Sequence, residues 1–372
     1  MKGKATMKVI LATGIYPPAI GGPATYVAAL ARELGSKDID VQVVSYGKAS
    51  ADPKVTMVSL TGGSLIRWFR YAGALNKAAQ DADAVIAFSS VSVGVPLILA
   101  RLKHPKKILR LGGDFFWERY TDRGGSLSLR EWYQQRSFVT SCSLLVARFI
   151  LKKFDHVVFS TEYQKNIYEE FYKDLPPHSV IENTFPTKIS SHSMHLLRTS
   201  GMKGNVLRLL YFGRFVGFKN LPALIAAMKD LPATKLTLVG DGPMKNRLQK
   251  QVRELGIIDR VEFQPTVHGE EKLKIFAAHD ALVIPSVTEL SPNSALEARS
   301  AGLPVLLTRE TGLNSALTEG MLLRDLRTLE AIVRAVEEVR TNYESIASKA
   351  TAELPKRTWS DVATEILTLV SR

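Results

Sequence analysis

The chain has 372 residues, 45% hydrophobic and 23% charged, which is the make-up of a globular protein long enough for two or three domains with cores of their own. Its single cysteine, Cys142, excludes an intramolecular disulfide framework and a cysteine-based zinc site and fits a reducing compartment. The net charge of +13 is uneven: residues 1–195 hold 25 Lys and Arg against 16 Asp and Glu (+9), and the remainder holds 24 against 20 (+4).

In chain order, a basic start precedes the apolar run Val9–Ile15, which is short and stops at Pro17-Pro18. That pattern reads as a first strand rather than a signal peptide. No run approaches the roughly 18–20 apolar residues of a membrane span. Strand-like runs are expected near Lys8–Thr13, Val41–Tyr46, Ala84–Ser89, Lys107–Leu111, His156–Ser160 and Ser179–Glu182. Between them, helical periodicity covers Ala24–Leu34, Leu65–Ala79, Gly94–Leu102 and Leu129–Lys153. The aromatic side chains of the last helix, Trp132, Tyr133, Phe138 and Phe149, are expected in the core. The basic excess is carried by Arg67, Arg70, Lys103, Lys106, Lys107, Arg110, Arg148, Lys152 and Lys153. An anionic membrane surface, a phosphorylated acceptor or a nucleic acid would each match it, and so would solvated faces of ordinary helices.

Pro186–Gly204 loses periodicity and reads as a linker. A second series follows, with strands near Leu207–Phe212, Lys235–Val239, Val261–Gln264, Ala281–Pro285 and Pro304–Thr308. Helices are expected at Leu221–Leu231, Met244–Leu255, Glu270–Ala278, Leu326–Val339 and Trp359–Val370. This alternation predicts an α/β protein of two doubly wound, Rossmann-like domains facing across a cleft, with ligands at the C-terminal ends of the strands. The boundaries are placed at 1–190 and 206–355, with 191–205 as linker and 356–372 as a terminal helix.

Two loops of the second domain carry candidate chemistry. The first strand ends at Gly213. Arg214 and Lys219 follow in a strand-to-helix loop, where a planar fork and a point charge suit a diphosphate. Asn220 is expected to cap the next helix, which has Pro222 in its first turn. After the strand Ala281–Ile284, Ser291 is expected as an N-cap with Pro292 at the first helical position, and the helix should run to Ala301 before Gly302 and Pro304. Glu289 then lies just before a helix N-terminus and Glu297 on that helix. The amides near Asn293 and Ser294 suit phosphate, and the carboxylates suit sugar or ribose hydroxyls. Asp38-Ile39-Asp40 and Asp81-Ala82-Asp83 match a DxD metal motif but precede strands, away from the ligand ends. The seven histidines lack ligand spacing, so no metal is expected. Gly21-Gly22 is not a GxGxxG fingerprint, which argues against NAD.

Gly213-Arg214 with Lys219-Asn220, then Val239-Gly240-Asp241-Gly242-Pro243, then Glu289 and Glu297-Ala298 with Gly302-Leu303-Pro304-Val305, resembles the retaining glycosyltransferases of the GT-B fold, family 4 type, also termed glycosyl transferases group 1. Tyr16-Pro17-Pro18 with Gly21-Gly22 is similar to that family's N-terminal glycine loop, Ile181-Glu182-Asn183 to its motif before the linker, and Trp359-Ser360 to its helix that crosses back to the first domain. The resemblance implies that Arg214 and Lys219 grip a donor diphosphate, with Gly213 beside them. It implies that Glu297 binds ribose and Glu289 the donor sugar, and that Pro292, Asn293 and Ser294 help hold sugar and phosphates. Gly21 and Gly22 would admit the donor close to the first domain's backbone. Leu290-Ser291-Pro292-Asn293 departs from the family's Gly-Phe-Gly type sequence. Leu111-Gly112-Gly113-Asp114 stands where the family often has a histidine; Asp114 is the candidate for that polar contact, or else a helix N-cap.

The expected activity is transfer of a sugar from a nucleoside-diphosphate sugar to a glycan or lipid-linked acceptor in cell-surface polysaccharide or glycolipid synthesis, with retention and without a metal or other cofactor. The expected location is cytoplasmic, peripheral on the inner face of the membrane, with no nucleic-acid partner. The rivals are a nucleotide-sugar epimerase of the same fold and a basic membrane- or nucleic-acid-binding protein without catalysis.

Overall fold

The computed structural model describes residues 7–19, 21–135, 137–185, 205–350 and 355–371. The expected linker, 191–205, lies outside them except for Asn205. The chain divides into two compact units, Met1–Phe116 with Tyr133–Thr184 and Arg357–Arg372, and Trp117–Trp132 with Phe185–Lys356.

The first unit is built on a parallel sheet of seven strands: β1 Lys8–Thr13, β2 Asp40–Tyr46, β3 Val55–Val58, β4 Ala84–Ala87, β5 Lys106–Leu111, β6 His156–Phe159 and β7 His178–Val180. Their spatial order is β3-β2-β1-β4-β5-β6-β7. Short runs such as Ala84–Ala87, buried at every position, need apolar side chains on both faces because helices cover both. In register, Leu11 lies between Val43 and Ile86, and Ile86 is beside Ile108. These pack beneath Val27, Leu30 and Leu34 of the helix Gly22–Ser36 and Val362 and Ile366 of the helix Trp359–Ser371. Slipping a strand by one residue would turn this row to the other face.

The second unit holds six parallel strands, β8 Leu207–Phe212, β9 Thr234–Val239, β10 Val261–Gln264, β11 Ala281–Ile284, β12 Val305–Thr308 and β13 Leu322–Arg324, in the order β10-β9-β8-β11-β12-β13. Alternate residues serve opposite faces. Leu209, Tyr211, Leu236 and Val283 meet Leu221, Leu224 and Ile225, while Leu210, Leu282, Ile284 and Leu307 meet Ala295 and Leu296. Both sheets reverse their strand order at their first strand, between β1 and β4 and between β8 and β11. Ligands of such sheets bind beyond the carboxyl ends of the strands at that reversal.

Several expectations are corrected. The short edge strands β3 and β13 carry too few residues for a legible period. The helix expected over Leu129–Lys153 is two helices, Leu129–Gln134 and Phe138–Leu151, because the Ser137 side chain accepts the Thr140 N–H at 3.1 Å and starts a new one. Trp132 and Tyr133 are buried, but Phe138 is 84% exposed and Phe149 59% exposed. The first unit also lacks the expected segment 117–132, which is part of the second for reasons of packing given below. Pro292 is itself the N-cap of the helix Asn293–Ser300, with ψ of 90°, one position later than expected. Its carbonyl accepts the Ala295 and Leu296 amides. Asn220 takes a left-handed conformation (φ 54°) and makes no side-chain cap; its amide instead donates to the carbonyls of Leu326 and Arg327.

Candidate active site

The loop leaving β8 is held from beneath. Gly213 N–H donates to Val239 O (3.0 Å) and Phe215 N–H to Asp241 O (2.9 Å). Tyr211 donates its hydroxyl to Arg214 O at 2.9 Å, and Phe215 is fully buried. A Cβ at Gly240 would sit 2.0 Å from Gly213 O, and one at Gly242 2.5 Å from Phe215 O. The pair Gly240 and Gly242 therefore exists so that one loop can lie directly on the other. With Phe215 anchored inward, Arg214 stands exposed at the carboxyl end of β8.

Glu289 follows β11 in a buried loop and is itself 6% exposed. Its amide donates to Glu310 O and its carbonyl accepts from Gly312 N, both at 2.8 Å, so the backbone is clamped on both sides. One carboxylate oxygen, Oε2, accepts from Ser286 Oγ at 2.7 Å and pairs with Lys219 Nζ at 2.5 Å. Lys219 also lies over the Phe218 ring at 4.9 Å. Burial, and after it the negative charge of Glu289, pushes the Tyr211 hydroxyl well above its ordinary pKa, with Arg214 opposing. Tyr211 therefore keeps its proton and goes on tethering the loop. The structure thus brings Gly213, Arg214, Lys219 and Glu289 together at the reversal between β8 and β11.

Glu297, on the helix Asn293–Ser300, forms a second ion pair with Lys272 of the helix Gly269–Ala278. Lys272 Nζ lies 4.4 Å from the ring of Phe212, the last residue of β8. Lys272 is not legible from the sequence, since nothing marks one lysine of a surface helix. Pro292 is buried at the helix start, Asn293 exposed and Ser294 half-buried.

The segment 117–132 borders this site. Trp117 is 2% exposed and packs against Phe218 at 5.4 Å between ring centroids. Asp122 accepts the Gly217 N–H at 3.0 Å, Leu129 N–H donates to Thr288 Oγ1 at 2.9 Å, and Arg327 forks onto Glu131 at 2.9 and 3.0 Å. A Cβ at Gly217 would fall 2.4 Å from Thr121 O. The chain between β5 and β6 thus buttresses the loops that carry Lys219 and Glu289. Local sequence holds no signal for this, because the contacts span some hundred positions or more.

Among the first unit's candidates, Gly21 and Gly22 open the helix after β1. A Cβ at Gly22 would meet nothing within 4 Å, so protein packing does not demand this glycine. Asp114 is 2% exposed; it accepts the hydroxyls of Tyr133 (2.6 Å) and Tyr168 (2.8 Å) and the Phe116 amide (3.1 Å). Burial and then Asp114's charge push both hydroxyls well above the ordinary tyrosine pKa. This geometry is that of a carboxylate holding a helix start and a tyrosine cluster together. Among the described residues, no three His, Cys, Asp or Glu side chains are grouped to hold a metal ion.

Two parallel, doubly wound sheets, the second with a cationic and carboxylate site at its strand reversal, define an α/β protein of the GT-B fold. Sucrose-phosphate synthase from Thermosynechococcus elongatus superposes with a TM-score of 0.75 over 98% of both chains, at 20% identity. Anabaena HepE, solved in complex with UDP-glucose, does so with a TM-score of 0.72 over 98% of this chain and 99% of that one, at 17% identity. Residues 197–352 match the family described as glycosyl transferases group 1. The sulfoquinovosyl transferase SQD2 of Arabidopsis thaliana is 28% identical over 195 residues, 50% of this chain and 37% of that protein. The chain spans between about a third and two thirds of the length of the curated relatives it matches first.

Proposed function

We propose that the protein is a retaining glycosyltransferase that moves a sugar from a nucleoside-diphosphate sugar to a hydroxyl of a glycan or lipid-linked acceptor. The observation that carries this reading is the cluster at the reversal of the second sheet, where exposed Arg214 stands beside half-buried Lys219 and buried Ser286 and Glu289. As the acceptor oxygen attacks the anomeric carbon, negative charge grows on the departing diphosphate. Arg214 and Lys219 are the groups to stabilise it, with the start of the helix Asn293–Ser300 adding its dipole. Because these cations belong to the chain, the reaction needs no bound divalent metal. Glu289, oriented by Ser286 and Lys219, is left to accept from a hydroxyl of the transferred sugar, and Glu297 from the ribose. In a same-face displacement the leaving phosphate can take the acceptor's proton, so no separate general base is required.

The test is thermal stabilisation by UDP, GDP and ADP, with and without Mg²⁺. A ligand at about 100 times its Kd adds roughly 2.7 kcal/mol. The expected result is a shift with one diphosphate in the absence of metal, lost in Glu297→Ala. No shift with any diphosphate would overturn the donor pocket, and a shift that requires Mg²⁺ would overturn metal independence.

A further inference from the structure

Three helices of the first unit, Ser64–Ala78, Gly94–Leu99 and Phe138–Leu151, cross its sheet in the same direction, from β3 to β4, β4 to β5 and β5 to β6, as does the acidic helix Glu162–Phe171 beyond them, from β6 to β7. Right-handed crossovers in one direction put them on one face, and Gly94–Leu99 packs against both Ser64–Ala78 and Phe138–Leu151. The helices Gly22–Ser36 and Trp359–Ser371 pack against each other, and the first of these crosses in the opposite direction, from β1 to β2. The three-helix face buries Tyr71, Leu75, Ala147 and Ile150. It turns outward Leu65 (65% exposed), Phe69 (64%), Leu99 (37%), Phe138 (84%), Leu145 (63%) and Phe149 (59%). Bulky apolar side chains exposed on three adjacent helices make a tract of the kind that marks a docking surface.

The charges around it select the occupant. Neither long helix contains an Asp or Glu. Arg67, Arg70 and Lys77 lie on the first, Arg148 on the second, and Lys152 and Lys153 directly after it. Arg148 and Lys152 are partly neutralised by Asp174. Arg70 bonds only to Thr61 among the described contacts, and Lys153 lies over the exposed Phe149 ring at 5.0 Å. A second copy of this face would set cation against cation. From these observations the geometry points to an anionic lipid bilayer surface as the partner of this face. The two long helices lie along the interface, their phenylalanines and leucines among the acyl chains, and their cations at the headgroups. No helix among the described residues is long and apolar enough to cross a membrane, so the contact is one of lying on the surface. It is independent of the sugar-transfer reading, since none of its residues belongs to the donor site.

The experiment is co-sedimentation of the full chain with phosphatidylglycerol–phosphatidylcholine vesicles and with phosphatidylcholine alone, alongside light scattering for oligomeric state. The expected result is salt-sensitive binding to the anionic vesicles. It should weaken about tenfold or more in the double variant Phe138→Ser, Phe149→Ser and in the double variant Arg70→Glu, Lys153→Glu, with diphosphate stabilisation intact in both. No binding to anionic vesicles would overturn the inference. So would equal binding by either double variant, or a solution dimer that the serine variant dissociates.

Discussion

In the first unit the strand order reverses between β1 and β4, and in the second between β8 and β11, yet the glycines at the two places meet different surroundings. Around the second reversal, Gly240 and Gly242 are crowded by the loop they support, with backbone oxygens 2.0 and 2.5 Å from where a Cβ would stand. At the first, a Cβ on Gly22 would enter open space. The outer surfaces differ as well. Among the described residues, the exposed bulky apolar side chains of the second unit are Val206 and Ile258, whereas those of the first crowd onto three neighbouring helices and a flanking turn. One architecture therefore serves two purposes: the second unit is packed around a fixed polar cluster, and the first keeps an apolar, basic face available.

The largest effects should come from the polar cluster. Arg214→Ala is expected to lower kcat by about 10²–10³-fold, a loss of about 2.7–4 kcal/mol. The thermal midpoint should hardly move, because Arg214 is exposed. Lys219→Ala should cost as much in rate and also lower stability, since Glu289 then stays buried with only Ser286 as partner. Steady-state kinetics with near-normal turnover in both variants would sink the diphosphate role.

Next come the glycines. Gly240→Ala should destabilise the second unit by about 1–3 kcal/mol, because the new methyl group must displace a backbone carbonyl rather than a flexible side chain. Gly22→Ala should instead raise stability by about 0.4–1 kcal/mol through the unfolded chain, while kcat/KM falls if a ligand approaches that backbone. A Gly22→Ala enzyme with unchanged kinetics would remove Gly22 from the donor-binding set and end that side of the comparison.

The smallest effect concerns His279, at the opposite end of the second sheet from the polar cluster. Its Nδ1 meets Ile275 O at 2.7 Å, so that nitrogen carries the proton, and Nε2 meets Thr237 Oγ1 at 2.8 Å. Burial is the main reason its pKa falls below the ordinary 6.5. The fold thus favours the neutral ring. Its contribution is complete above pH 6.5 and is lost as pH falls through the lower folded value. Thermal midpoints recorded across that range should decline more steeply for the native chain than for His279→Gln; parallel curves would refute the assignment.

Much of the second unit was legible in the sequence by itself. Its strands are short, mostly apolar runs, its turns are marked by Gly and Pro, and Gly213-Arg214, Lys219 and Glu289 fall in loops that follow strands, where ligand chemistry belongs, with Glu297 on the helix after the last of them. Local periodicity and turn chemistry act within a few residues, so a linear reading can find them. Tertiary structure alone decided the rest. It paired Lys219 with Glu289 and Lys272 with Glu297, brought residues 117–132 to the second sheet, and surrounded Asp114 with tyrosines. It also left Phe138 and Phe149 outside, because an apolar helix has the same period whether its second face meets a core or something beyond the chain. Pairings across some twenty to two hundred positions depend on which surfaces the folded sheets bring together, and no local pattern carries that information.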